Sequence, residues 1–179
     1  MKYKWDTIDL LRHARHDWLN QLQLIKGNLS LDRTDRAKEI VDEVVHQAKN
    51  EAKISNMKMP LMAELLMTYN WQQNIYRVDF EVIGEEKVLT SYDEPLYEWT
   101  SHFLTQVKER ILLEGESHLL VTIQISDEDV RISFDFEGKL DNIDSIDSFN
   151  RSLIPVHNSI SIAESYYKEN ELLYILRLE

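Results

Sequence analysis

The side chains best suited to chemistry lie in one short run, Arg12-His13-Ala14-Arg15-His16-Asp17-Trp18-Leu19-Asn20. His16 has an acid beside it and an amide four residues on. A neutral imidazole becomes a directed nucleophile when a hydrogen bond holds one ring nitrogen and leaves the other free. Asp17 and Asn20 are spaced to reach one reacting group together with His16. In this run His13, His16, Asn20 and Gln23 follow one another at three or four residues, so they form one polar stripe on a helix.

The helix is read from the apolar residues beside that stripe. Ile8, Leu11, Trp18, Leu22, Ile25 and Leu29 recur at alternating steps of three and four, with Arg15 taking one polar turn. Such a seam packs lengthwise against other helices. His16 lies one position off it and is expected on the flank, near solvent. The first helix should run from about Thr7 to Leu29. After the polar loop Leu31–Asp35, in which Thr34 or Asp35 can cap, a second helix carries Ala37, Ile40, Val41, Val44, Ala48 and Ala52 on one face and ends near Asn56. A lone hairpin cannot bury both stripes, whereas two hairpins can. A homodimer closed by a four-helix bundle is the expectation.

Lys53–Met59 reads as a polar connection, giving domains of residues 1–57 and 58–179. Pro60 fits the first turn of a third helix with Leu61, Met62, Leu65, Leu66 and Tyr69, and the methionines Met57, Met59, Met62 and Met67 read as core filling. From Arg77 the period changes to two, with Val78, Phe80 and Val82 alternating with polar residues until Gly84. A long helix is expected from Asp93 or Pro95 to about Leu113. Leu119–Ile125 and Val130–Phe136 form a hairpin, Asn142–Ser152 a short helix or loop, and Ser159–Tyr166 with Leu172–Leu178 a last pair of strands. The fold class is therefore α+β: a helical hairpin, then a mostly antiparallel sheet with helices on one face.

Composition bounds the partners. Among 179 residues the formal net charge is −12, which argues against nucleic acid, because phosphate contacts need clustered Lys and Arg. The one basic cluster, Arg12, Arg15 and Lys26, surrounds His16 and suits a small anion such as a phosphoryl group, or else offsets nearby acids. No apolar run is long enough to cross a bilayer, and the first residues lack a signal-peptide core, so a cytoplasmic protein without a membrane partner is expected. Without cysteine there is neither a thiolate nucleophile nor a disulfide. His102, His118 and His157 are too scattered for a metal triad, and the acidic turns Asp127–Asp129 and Asp141–Asp147 miss the calcium-loop pattern. His46 has no ligand-like neighbours and reads as a surface residue. No metal site and no intrinsic cofactor are expected.

The run Arg15-His16-Asp17-Trp18-Leu19-Asn20, continuing as Gln21-Leu22-Gln23-Leu24-Ile25-Lys26-Gly27-Asn28-Leu29-Ser30-Leu31, resembles the phosphoacceptor helix of the sporulation initiation phosphotransferase B family. Its His-Asp-x-x-Asn core is also similar to the dimerisation helix of citrate-type sensor histidine kinases. The resemblance implies that His16 is phosphorylated, that Asp17 and Asn20 orient it, and that Arg15 helps with phosphoryl charge. It further implies a place in the middle of a phosphorelay. The phosphoryl group would come from the aspartate of a single-domain response regulator and pass to the receiver domain of the transcription factor that starts sporulation. Mg²⁺ would arrive with the receiver. The second half is then an α/β sandwich resembling a degenerate histidine-kinase ATPase domain.

Glycine usage separates phosphotransferase from kinase. The chain has four glycines, Gly27, Gly84, Gly115 and Gly138, with no G-x-G, and the expected helix from Asp93 contains no asparagine. Backbone cannot approach nucleotide phosphates closely without such glycines. Two alternatives stay open: a kinase fragment that autophosphorylates His16 from ATP, and a non-enzymatic dimeric scaffold on which His16 is merely exposed.

Overall fold

The computed structural model describes residues 5–72, 74–112, 115–141, 146–168 and 170–179. The chain divides into two compact units, residues 1–49 and 50–179.

The first unit is the helical hairpin. Helix α1 spans Thr7–Ser30, and the Asp6 carboxylate caps it by accepting from the Asp9 N–H at 2.8 Å. The chain reverses over Leu31–Arg33. Asp32 supplies the left-handed residue at φ 54°, and the Arg33 N–H closes the turn on the Asn28 carbonyl at 2.9 Å. Helix α2 spans Thr34–Asn56, so Thr34 and Asp35 lie in its first turn, where an acid favours the helix dipole. Ala37 and Ile40 are buried and Val44 is half-buried, whereas Val41, Val45, Ala48 and Ala52 are exposed. α1 buries no residue at all. Leu11, Trp18, Leu22 and Leu29 along its seam are each more than half exposed. Apolar area of that extent is uncovered in the single chain.

The expected polar connection at Lys53–Met59 is different in the structure. α2 continues to Asn56, and Ile54, Met57 and Met59 are fully buried in the second unit's core. Lys53 is half-buried, Lys58 lies in the turn after the helix, and the polar residues between apolar ones mask a face that completes a core. Met62 is buried and Met67 partly buried beside them, so the methionines do fill the core.

In the second unit, α3 (Pro60–Thr68) begins on proline and α4 spans Asp93–Arg110. The strands are β1 (Arg77–Ile83), β2 (His118–Ile125), β3 (Val130–Glu137), β4 (Ile160–Lys168) and β5 (Glu171–Leu178). They form one sheet in the order β1-β2-β3-β5-β4. β1 and β2 are parallel and all other pairs are antiparallel. The parallel pair requires a crossover, and α4 lies within it. Alternate strand residues face inward: Leu119, Val121 and Ile123 on β2 oppose Phe136, Phe134 and Ile132 on β3. Against them pack Leu96, Trp99, Phe103 and Val107 of α4. Trp99 stacks on Phe103 at 5.4 Å and donates its Nε1–H to the Leu153 carbonyl at 2.6 Å. α4 ends three residues sooner than expected, because Ile111 turns extended and bridges Leu140.

β1 is an edge strand, and side chains cover its outward groups. Asn70 donates to the Val78 carbonyl and accepts from the Val78 N–H. Asn50 accepts from the Val82 N–H, and Lys53 donates to the Val82 carbonyl. Of the weakly patterned segment 142–152, residues 142–145 lie outside the described residues and Ile146–Ser152 forms the short helix α5.

Candidate phosphoacceptor site on helix one

α1 is regular from the Asp6 cap onward, so it holds His16, Asp17 and Asn20 at fixed helical positions. The Asn20 amide nitrogen lies 3.2 Å from His16 Nδ1, and Asp17 Oδ1 lies 3.5 Å from the same atom. Both contacts fall on one ring nitrogen. Among the described residues none reaches Nε2, and the His16 side chain is 71% exposed. One nitrogen is thus held from the helix while the other faces solvent.

The two neighbours ask different things of Nδ1. A carboxylate can only accept, so a proton on Nδ1 turned to Asp17 leaves a lone pair on Nε2. An amide N–H from Asn20 would instead fill the Nδ1 lone pair and put the proton on Nε2. An asparagine side chain can present its oxygen in place of its nitrogen, and in that orientation it supports the first tautomer together with Asp17. This constellation can therefore aim a nucleophilic nitrogen outward.

The remaining sequence-selected residues are less concentrated. Arg12 is tied to Asp9 at 2.6 Å, which matches a charge-offsetting role. Arg15 and Lys26 are exposed, and among the described residues neither makes an ion pair. His13 stands edge-on to Trp5 with ring centroids 5.0 Å apart. His46 is exposed on α2. His118 pairs with Asp79 and His157 with Glu98, each at 2.9 Å. No group of three metal-ligating side chains occurs among the described residues. The turn Ser126–Asp129 is closed internally, with Asp129 accepting from Ser126 and Arg131. Leu24 of α1 falls outside the three-four seam yet is 58% exposed, and Leu31, in the turn that follows the helix, is 63% exposed.

Comparison with known proteins bears on this geometry. The family described as "Sporulation initiation phospho-transferase B, C-terminal" matches residues 58–179, and "Sensor kinase SpoOB-type, alpha-helical domain" matches residues 1–57. The chain belongs to the sporulation initiation phosphotransferase B family. Sporulation initiation phosphotransferase B of Bacillus subtilis (strain 168) is 38% identical over 149 residues, covering 82% of this chain and 78% of that one. Among solved structures, the Acinetobacter baumannii histidine kinase AdeS is similar at 8% identity with a TM-score of 0.49, over 92% of this chain and 97% of that chain. The histidine kinase domain from the Erythrobacter litoralis EL346 blue-light activated histidine kinase is similar at 10% identity and a TM-score of 0.47, over 69% and 60%. The layout of this family member, a helical region followed by a five-stranded mixed sheet with helices, is the α+β class expected from its sequence. No helix among the described residues is long and apolar enough to cross a membrane.

Proposed function

We propose that this protein is a phosphorelay phosphotransferase whose His16 takes a phosphoryl group from a response-regulator aspartate and gives it to a second receiver domain, at the start of sporulation. The observation that carries the proposal is the pairing at Nδ1: Asp17 and Asn20 both address that nitrogen, and Nε2 stands open to solvent. Family membership and the Bacillus subtilis relative support the phosphotransfer role.

Nε2 attacks the phosphorus of the donor's acyl phosphate. An N–P bond forms, the P–O bond to the carboxyl oxygen breaks, and the donor aspartate leaves as a carboxylate. The imidazole becomes cationic, and its Nδ1 proton stays against Asp17, whose carboxylate balances that charge. The reverse attack by the acceptor's aspartate returns the imidazole to neutral. Both phosphates are energetic, so the exchange needs no ATP. Catalysis then consists of positioning and charge neutralisation. Arg15 is placed to ease the approach of a phosphoryl group, and Mg²⁺ belongs to the receiver's acidic pocket. The homodimer follows from the uncovered seam of α1: two hairpins closing a four-helix bundle would bury Leu11, Trp18, Leu22 and Leu29 and leave His16 outside. A cytoplasmic location fits these partners. An ATP-dependent kinase fragment is disfavoured because α4 has no asparagine and the chain no clustered glycines.

The test mixes a phosphorylated single-domain receiver with this protein or its His16→Gln variant, without ATP, and follows acid-labile, base-stable phosphate. Label on wild type alone supports the relay. Label on neither turns the reading to a scaffold, and label on both assigns the acceptor to another residue.

A further inference from the structure

β5 does not have the pattern of a strand with one face in water. Leu172, Leu173, Tyr174, Ile175 and Leu176 follow one another without a polar residue. A strand with one solvated face alternates apolar and polar residues, and an unbroken apolar run marks a strand covered on both sides. Leu172, Tyr174 and Leu176 are buried in the core beneath the helices of the second unit. Leu173 and Ile175 point the other way, are half-buried, and have no part in that core. In register beside Leu173 stand Tyr166 on β4, which is 39% exposed, and Asp135 on β3, with Leu120 beyond it on β2. The outer face of the sheet thus has an apolar centre that no helix of the second unit covers among the described residues.

The two ends of that face are strained electrostatically. Arg131 on β3 and Arg177 on β5 are register partners, and at the other end of the same strands Glu137 is the register partner of Glu171. Like charges directly opposite one another on adjacent strands are destabilising. This face has one such pair at each end, and the two pairs have opposite sign. Asp129 holds Arg131 at 2.8 Å, and the Tyr166 hydroxyl donates to Glu171 at 2.8 Å. Arg177 and Glu137 make no ion pair among the described residues.

We propose that the outer face of the sheet is a self-association surface, on which a second copy of this chain lies with its strands reversed end for end. A two-fold axis in the plane of the sheet, perpendicular to the strands, lays the arginine end of each copy over the glutamate end of the other. Both like-charge pairs then meet opposite charge. The same operation sets Leu173 over Ile175 of the second copy and Asp135 opposite Ser133 of the second copy, a hydroxyl donor. Five strands about 4.8 Å apart and about 20 Å long give each copy roughly 500 Å² of face. A buried total of about 1,000 Å² lies at the lower limit for a specific interface, so the association is weak and needs a concentration on the order of a hundred micromolar. This surface belongs to the second unit alone and is independent of the seam of α1 and of phosphotransfer.

The full chain is sedimented at low salt from about 1 to about 500 µM, for wild type, Arg177→Glu, Glu171→Arg, the two together, and Leu22→Glu. Wild type is expected to double its mass across this range, toward about four times the 21.3 kDa chain. Either single reversal sets like charge against like across the interface and should raise the concentration of half-association about tenfold or more. The double variant should return to the wild-type value, a recovery that a folding defect in a single variant does not produce. Arg177→Glu should also melt no lower than wild type, since it gives Arg131 an acid as its register partner. Leu22→Glu, with the α1 seam broken, should double from monomer at the same concentrations. A wild-type mass that stays constant over the whole range overturns the proposal. So does a double variant no better than the single ones, or a Leu22→Glu chain that remains monomeric throughout. A wild type that begins as monomer and still doubles, with the charge reversals acting as expected, keeps this surface and removes the bundle alone.

Discussion

Asn20 and His16, one helical turn apart on α1, meet at 3.2 Å on the histidine's Nδ1, the same atom that Asp17 approaches at 3.5 Å. Two neighbours on one ring nitrogen make the tautomer, rather than the mere presence of a histidine, the quantity that side-chain changes control. Asp17→Asn exchanges an obligate acceptor for a group that can also donate, so it weakens the preference for a proton on Nδ1. It also removes the charge that balances a phosphoimidazolium. A single-turnover rate about ten- to a hundredfold below wild type is expected, roughly 1.4–2.8 kcal/mol of barrier. Asn20→Ala removes an orienting contact without removing charge and should cost less. Rapid-quench rates with saturating receiver would check both. Equal rates in all three proteins would deny the pair any part in the chemistry.

The seam of α1 predicts assembly. Leu22 is 56% exposed and Trp18 53% exposed in the single chain, surface that a hairpin leaves in water only at considerable expense. Sedimentation at micromolar concentration should give a dimer of about 43 kDa, twice the 21.3 kDa chain. Leu22→Glu, in the middle of the seam, should yield a monomer whose second unit still unfolds cooperatively. A wild-type monomer would remove the bundle.

Asp93 predicts where the second unit is fragile. It is buried at the start of α4, and its two carboxylate oxygens accept from the backbone N–H groups of Leu61 and Met62, both at 3.0 Å. α3 has no side-chain cap of its own, so a residue 31 positions away satisfies its first turn. Asp93→Ala leaves one buried and one part-buried donor unpaired and should destabilise the unit by about 1–3 kcal/mol, read as a lower urea midpoint. Asp93→Asn, which keeps one acceptor, should fall between. A midpoint within error of wild type would mean that water replaces the cap.

The elements whose periodicity is strong were legible from the sequence: both long helices, the Val130 strand and its partner, and the final pair. In β2, β3 and β5 alternate residues are buried, so local pattern and tertiary packing agree, whereas α1 buries none in the single chain and is legible from its own pattern. The segment Lys53–Met59 was not. Its four polar residues, Lys53, Ser55, Asn56 and Lys58, interrupt any apolar period, while Ile54, Met57 and Met59 are buried in a core formed by strands far along the chain. The cap from Asp93 was equally invisible, because it joins residues distant in sequence. At the candidate site, the order His16-Asp17-Asn20 gave the residue types and their face. That both neighbours converge on Nδ1 depends on side-chain rotamers, which spacing does not specify.

Asp135 predicts a pH dependence with an uncommon sign. It sits on β3 in register with Leu120 on β2 and Leu173 on β5, and its Oδ1 meets no donor. Burial pushes its carboxyl above the usual carboxylate range. Glu171 and Glu137 add to the rise and His118 opposes it. The folded chain thus holds this proton more tightly than the unfolded chain does. Between the ordinary carboxylate value and the raised one the native state carries more protons, so stability contributed by this group falls as pH rises through that window and stays lost above it. Asp135→Asn removes the ionisable group and should raise the unfolding midpoint at pH 7. The difference from wild type should shrink on acidification and vanish below roughly pH 4, where both side chains are neutral in either state. Midpoints measured on both proteins from pH 7 downward test it. A variant no more stable than wild type at pH 7, or a gap that persists in acid, would show that Asp135 is satisfied in the folded protein by a partner such as water or a bound cation.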